Sequence, residues 1–194
     1  MEKLKTIDSV QQKNTELEAK LTRLEQKIDE QDRQQKNFEA EIRGVPEFED
    51  ENLQNIIFNI NKEIKTTTTN KDIETSYRVP GRTVPHRPRP IIIRFRHIHL
   101  RDEFLNKSKR YNLNAISKED RLNTSSIGLS GPCMPVFISE HLTTCNKRLL
   151  YLAKKMAIEK KLAFVWIKSG RIYVRQNSDS RAIQVTSENT LISL

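Results

Sequence analysis

Six arginines, Arg78, Arg82, Arg87, Arg89, Arg94 and Arg96, fall within residues 78–96 of a 194-residue chain. A guanidinium group is a rigid fork of donors that binds phosphate bidentately and stacks on flat rings. Three of the six sit in Pro80-Gly-Arg-Thr-Val-Pro-His-Arg-Pro-Arg-Pro90, where four prolines and a glycine exclude helix and sheet. The prolines stiffen this loop, so its arginines lose less entropy on binding than they would in a glycine linker. A second group of cations lies further on: Lys154 and Lys155 on an amphipathic stretch, and Arg175 beside a hairpin signature. The chemistry these types offer is the holding of a polyanion, above all a phosphate backbone. The alternative is that the loop arginines neutralise the acidic stretch containing Glu47, Glu49, Asp50 and Glu51.

The charge distribution agrees with two cationic surfaces. The formal net charge is +9, with +8 in residues 75–112, +6 in residues 135–194, and −5 in residues 39–74. No triad, Gly-rich phosphate loop or paired acid and histidine is present, so the sequence predicts a binding protein and not an enzyme. Cys133 and Cys145 with His86, His97, His99 and His141 make no zinc-ligand spacing, so no metal and no cofactor are expected. No apolar run reaches the length of a membrane span. Two thiols without a signal peptide point to a reducing compartment, cytoplasmic and/or nuclear.

These cations need elements to position them, and the first is a helix. From Ile7 apolar residues recur in steps of three and four. Position a reads Ile7, Asn14, Leu21, Ile28 and Gln35, and position d reads Val10, Leu17, Leu24, Gln31 and Phe38, with Gln31 and Gln35 softening the C-terminal end of the seam. This is a heptad pattern over residues 1–38, a parallel coiled coil. Lys13, Lys20 and Lys27 at g face Glu18, Glu25 and Asp32 at the following e only if the chains run parallel. Asn14 at a buried position fixes register and leans toward a dimer, and the heptads leave dimer versus trimer open.

Residues 39–122 read as strand, helix, strand, strand, helix, strand. The strands are Glu39–Val45, Ile73–Val79, Ile91–Phe95 and a short one near Leu113–Ile116. The helices cover 51–65, capped by Asp50, and 98–111, with Arg101, Lys107, Lys109 and Arg110 outward. The order predicts a ferredoxin-like, RNA-recognition-type βαββαβ domain. Few aromatics lie on its central strands, so backbone and shape binding is expected over base readout. Residues 123–134 read as a linker. Residues 135–194 read as a small α/β domain: a strand at Val136–Ile138, a helix over 145–161, and two strands joined at Ser169-Gly170. Trp166 is a candidate for stacking, with core packing the commoner role. The expected class is α+β.

Glu41-Ile-Arg-Gly-Val-Pro46, Tyr77-Arg-Val-Pro80, Arg89-Pro-Ile-Ile-Ile-Arg-Phe95 and Leu100-Arg-Asp-Glu-Phe-Leu105 resemble the first-open-reading-frame proteins of LINE-type retrotransposons. Val136-Phe-Ile-Ser-Glu-His-Leu-Thr143 and Phe164-Val-Trp-Ile-Lys-Ser-Gly-Arg-Ile-Tyr-Val-Arg175 resemble the C-terminal domain of the baculovirus few-polyhedra (FP) protein, as in insect-type relatives carrying both parts. The resemblance implies a homotrimer over a dimer, and a chaperone-like grip on single-stranded RNA or DNA through Arg78, Arg89, Arg94 and Arg175. The FP side of it implies the alternative, a viral structural or assembly protein with viral or ribonucleoprotein components as partners.

Overall fold

The computed structural model describes residues 2–82 and 87–192. Thr83, Val84, Pro85 and His86, at the centre of the proline-rich loop, lie outside the described residues. The molecule is α+β. Helix α1 (Glu2–Lys36) leads into β1 (Glu39–Arg43), α2 (Leu53–Glu63), β2 (Ile73–Arg78), β3 (Ile91–Phe95), α3 (Ile98–Asn114) and β4 (Phe137–Glu140). Then come α4 (Thr144–Glu159), β5 (Phe164–Lys168), β6 (Arg171–Arg175), β7 (Ile183–Val185) and α5 (Glu188–Ile192).

No proline or glycine interrupts the first 43 residues, and α1 runs unbroken for 35. Its heptad residues Ile7, Val10, Leu17, Leu21, Leu24 and Ile28 remain 53–61% exposed in the single chain. Asn14 shares that exposure.

The first sheet is antiparallel, in the order β2-β3-β1-β4. Alternation sends Ala40, Ile42, Ile91, Ile93 and Phe95 to one face, where they pack on Ile56, Ile57 and Ile60 of α2 and Phe104 of α3. The opposite face carries Glu39, Glu41, Ile92 and Arg94. Helix α2 is capped by Asn52, whose side chain accepts from the Asn55 amide, and not by Asp50 as expected.

The fourth strand is not where the sequence placed it. Residues 113 and 114 continue α3, and Phe137–Glu140, expected in the C-terminal domain, pairs with β1 instead. The stretch 123–134, expected as a linker, is an ordered loop. Leu122 and Ile127 enter the core, and Thr124 bonds to Pro132 and Met134. Strand β4 covers the free edge of β1, setting Phe137 opposite Arg43 and Glu140 opposite Ala40. Gly44 permits that approach: at φ +91°, a Cβ there would meet the Pro135 carbonyl oxygen at 2.1 Å.

Arg101, expected outward, is 1% exposed. It reaches Glu140 at 3.5 Å, Asp102 at 3.0 Å and the Asn37 amide oxygen at 3.3 Å. The joining of β4 to the sheet put its carboxylate there.

The second sheet, β5-β6-β7, packs Ile172, Val174 and Val185 on Leu149 and Ala153 of α4. The Ser169-Gly170 turn has φ +51° and +72°, the signature that its sequence predicts. Three elements grip this turn. Arg33 of α1 donates to the Ser169 carbonyl (2.9 Å), Glu140 accepts from the Gly170 amide (2.6 Å), and Asn146 of α4 donates to the Gly170 carbonyl (2.9 Å). Among the described residues no helix is long and apolar enough to cross a membrane.

Candidate nucleic-acid interface

The arginines flanking the proline-rich loop are bound from within. Arg78, at the end of β2, has a side chain only 6% exposed. It donates to Glu51 (2.6 Å) and to the carbonyls of Val45 (3.0 Å), Pro46 (2.7 Å) and Arg89 (2.6 Å). The expectation that Arg78 extends a surface patch is corrected: its donors are spent on closing the loop Pro46–Glu51 against the sheet. Arg89 pairs with Glu47 at 2.6 Å, and its backbone amide donates to the same carboxylate. These two bonds hold the Glu47 carboxyl at about 2, far below its usual range.

Arg94 on β3 is held by Glu39 and Glu74, both at 3.0 Å, and lies over the Phe38 ring at 5.8 Å. Burial opposes ionisation of Glu39, but hydrogen bonds from His141 and Arg94 outweigh it and keep the carboxyl below its ordinary value. Arg96 donates to the Lys71 carbonyl (2.8 Å) from an exposed position. Arg82 and Arg87 are exposed and have no ion pair among the described residues. The acidic stretch therefore engages two of the six arginines, Arg78 and Arg89, and sheet carboxylates engage Arg94.

A cleft of about 860 Å³ opens between the β1–β4 edge and α4. Its cations are Arg43, Arg87, Lys147 and Lys154. Its acids, Glu41 and Glu140, are already engaged. Glu41 lies between Lys147 at 2.8 Å and Arg43 at 3.8 Å, and Glu140 faces Arg101 and the Gly170 amide. Two aromatic rings border the cleft, Phe137 and Tyr151, the latter 69% exposed. Cations beside bare rings are what holding a sugar–phosphate backbone and stacking its bases require. Of the expected residues the cleft brings together Arg87 and Lys154. Lys155 lies outside it, 4.0 Å from Glu159.

Sequence reasoning places Lys147 on the basic outer face of the C-terminal helix, and missed Arg43, Phe137 and Tyr151. Their spacing carries no signal, because they meet only after β4 joins β1 and α4 folds back. Phe137 had a legible hint: in an alternating strand with Val136 and Ile138 inward, it must face out.

The outer face of the second sheet is another basic and aromatic surface. Register places Phe164 opposite Arg175, Trp166 opposite Tyr173, and Lys168 opposite Arg171, all on the side away from α4. Trp166 and Tyr173 stack at 5.6 Å. Trp166 is thus half-buried in a cross-strand pair and absent from the core. Arg175 donates to the Ser178 carbonyl (3.3 Å).

Residues 143–194 match the family described as Baculovirus FP protein domain 2. The match covers α4, the second sheet and α5. It therefore includes Lys147, Tyr151 and Lys154 of the cleft, while the other wall, built from β1, β4 and residues 87–90, lies before it. Comparison with curated proteins gives no match. Among the described residues no group of histidines, cysteines and carboxylates could hold a metal ion.

Proposed function

We propose that this chain is a non-enzymatic, oligomeric, single-strand nucleic-acid-binding protein of retrotransposon descent, acting as a chaperone in cytoplasm or nucleus. The observation that carries the reading is the cleft between β1–β4 and α4, where Arg43, Arg87, Lys147 and Lys154 lie beside exposed Phe137 and Tyr151. The element order and the strand order β2-β3-β1-β4 support a ferredoxin-like, RNA-recognition-type middle domain, completed by β4 from beyond residue 122. The bare heptad stripe of α1 supports a parallel coiled coil, with the trimer resting on family resemblance. In this reading α1 gathers several clefts on one particle, which raises the avidity for a long strand.

The test is single-strand binding by the full chain at several salt concentrations. A log–log slope on the order of −3 to −6 per chain is expected for about five to eight phosphates contacted. A flat response would exclude the reading. Removal of residues 1–37 is expected to give a monomer by light scattering at about 0.5 M salt, where other charge contacts are screened, and an unchanged stoichiometry would exclude the coiled coil.

The match of residues 143–194 favours a second reading, a viral structural or assembly protein acting through protein partners. Copurification with nucleocapsid or envelope components, with no salt-dependent strand binding, would establish it over the first.

A further inference from the structure

Helix α2 has an acidic approach and a basic exit. In the loop before it, Glu47 and Glu51 are bound to Arg89 and Arg78. Glu49 and Asp50 are exposed, with no partner among the described residues, and Phe48 beside them is 45% exposed. At the other end, Lys62 and Lys65 join Lys107 and Arg110 of α3 around an open groove of about 720 Å³. None of these four cations has an ion pair among the described residues. Two carboxylates also line the groove, so its cations outnumber its acids four to two: Glu63 accepts from the Tyr111 hydroxyl at 2.6 Å, and Asp120 accepts from the Ser117 amide at 3.0 Å. Ile116, 99% exposed, stands bare at its rim, and Leu113 stands bare in the adjoining groove that shares Lys107 and Arg110.

Folding does not account for this arrangement. The helix dipole favours a cation at the end of α2, which covers Lys62 but not Lys107, Arg110 or the bare apolar groups. A nucleic acid would use the cations and leave Leu113 and Ile116 in water. The occupant that fits is an acidic segment with an apolar side chain, and this chain carries one in Phe48-Glu49-Asp50.

We propose that the Phe48–Asp50 loop of one chain docks in the α2–α3 groove of a second copy. Phe48 covers Ile116, while Glu49 and Asp50 meet Lys107 and Arg110. The two ends are separated by an 11-residue helix, a span of roughly 16 Å, so loop and groove on one chain do not meet each other. Each chain offers both a loop and a groove, so the contact closes as a reciprocal pair or a ring, or propagates, according to the rotation between copies. This inference is independent of what the cleft binds.

The test uses the full chain in sedimentation velocity at about 0.05 M and about 0.5 M salt, across which charge screening rises several-fold. Assembly beyond the coiled-coil oligomer is expected at low salt and its loss at high salt. Glu49→Lys/Asp50→Lys and Lys107→Glu/Arg110→Glu are each expected to weaken that assembly at least tenfold, and an equal mixture of the two to restore it. Phe48→Ser, which leaves every charge in place, is expected to weaken it as well. Wild-type chain without higher assembly at low salt overturns the proposal, as does a mixture that fails to reassemble while circular dichroism is unchanged. Lys107→Glu/Arg110→Glu that assembles normally but binds single strands less well also overturns it and assigns the groove to nucleic acid.

Discussion

Arg78 and Arg89, at the two ends of the proline-rich loop, spend their donors on Glu51 and Glu47, whereas Lys154 and Lys155 on α4 project into solvent. The first region has the denser run of cations in sequence and buries its pairs, whereas Lys147, Arg148 and Lys155 of α4 stay 47–72% exposed even where they meet Glu41, Glu188 and Glu159. The difference lies in where the pairs form. The proline loop faces an acidic loop, and the two close on each other as internal ion pairs. On α4 the pairs Lys147–Glu41, Arg148–Glu188 and Lys155–Glu159 form at the surface, where solvent screens them and the cations stay accessible. A count of basic residues measures what could bind. How much is available depends on the carboxylates that reach them first.

The largest effect expected from breaking this contrast is at Arg78. Arg78→Ala leaves Glu51 and three carbonyls without their donor in a nearly buried site, and should cost about 3–5 kcal/mol of stability. Chemical denaturation checks this, and single-strand affinity per folded molecule should stay within about twofold. Next is the pair Phe137→Ala/Tyr151→Ala. If a base stacks on each ring, affinity should fall by about 1–3 kcal/mol per base while the melting temperature holds. Arg87→Ala/Lys154→Ala should give a smaller loss, about tenfold or 1.4 kcal/mol at low salt, with a shallower salt slope. Unchanged binding in both pairs would move the interface to the outer face of the second sheet, around Trp166, Tyr173 and Arg175.

The smallest effect concerns acid. Glu47 titrates at about 2 when folded, below its ordinary 4.5, so its pair with Arg89 adds stability that is present above about 4.5. That stability is lost as pH falls from about 4.5 toward 2, because the unfolded carboxyl takes up a proton there while the folded one stays ionised until about 2. Glu47→Gln should flatten this part of the melting-temperature profile, and Lys154→Ala should leave it unchanged.

Much of the framework was legible in the chain itself. The long first helix, the buried strand Ile91–Phe95, the apolar stripe of α2 and the Ser169-Gly170 hairpin each rest on local rules of periodicity, branching or turn geometry, and those rules act within a few residues. The locations of Arg82, Arg87, Lys154 and Lys155 on the surface also follow from local polarity. Three things were decided only in the tertiary structure. Phe137–Glu140 became the fourth strand because β1 had an edge to pair, and the region 113–116 lost that role once α3 ran through its first half. Arg101 was buried because β4 brought Glu140 beside it. The cleft residues Arg43, Phe137, Lys147 and Tyr151 met because residues more than 90 positions apart were folded onto one another. Strand pairing and ion pairing join groups through space, and their energies depend on which surfaces meet. The order of residues along the chain determined the elements and their charges; the partners those charges found were set by the packing.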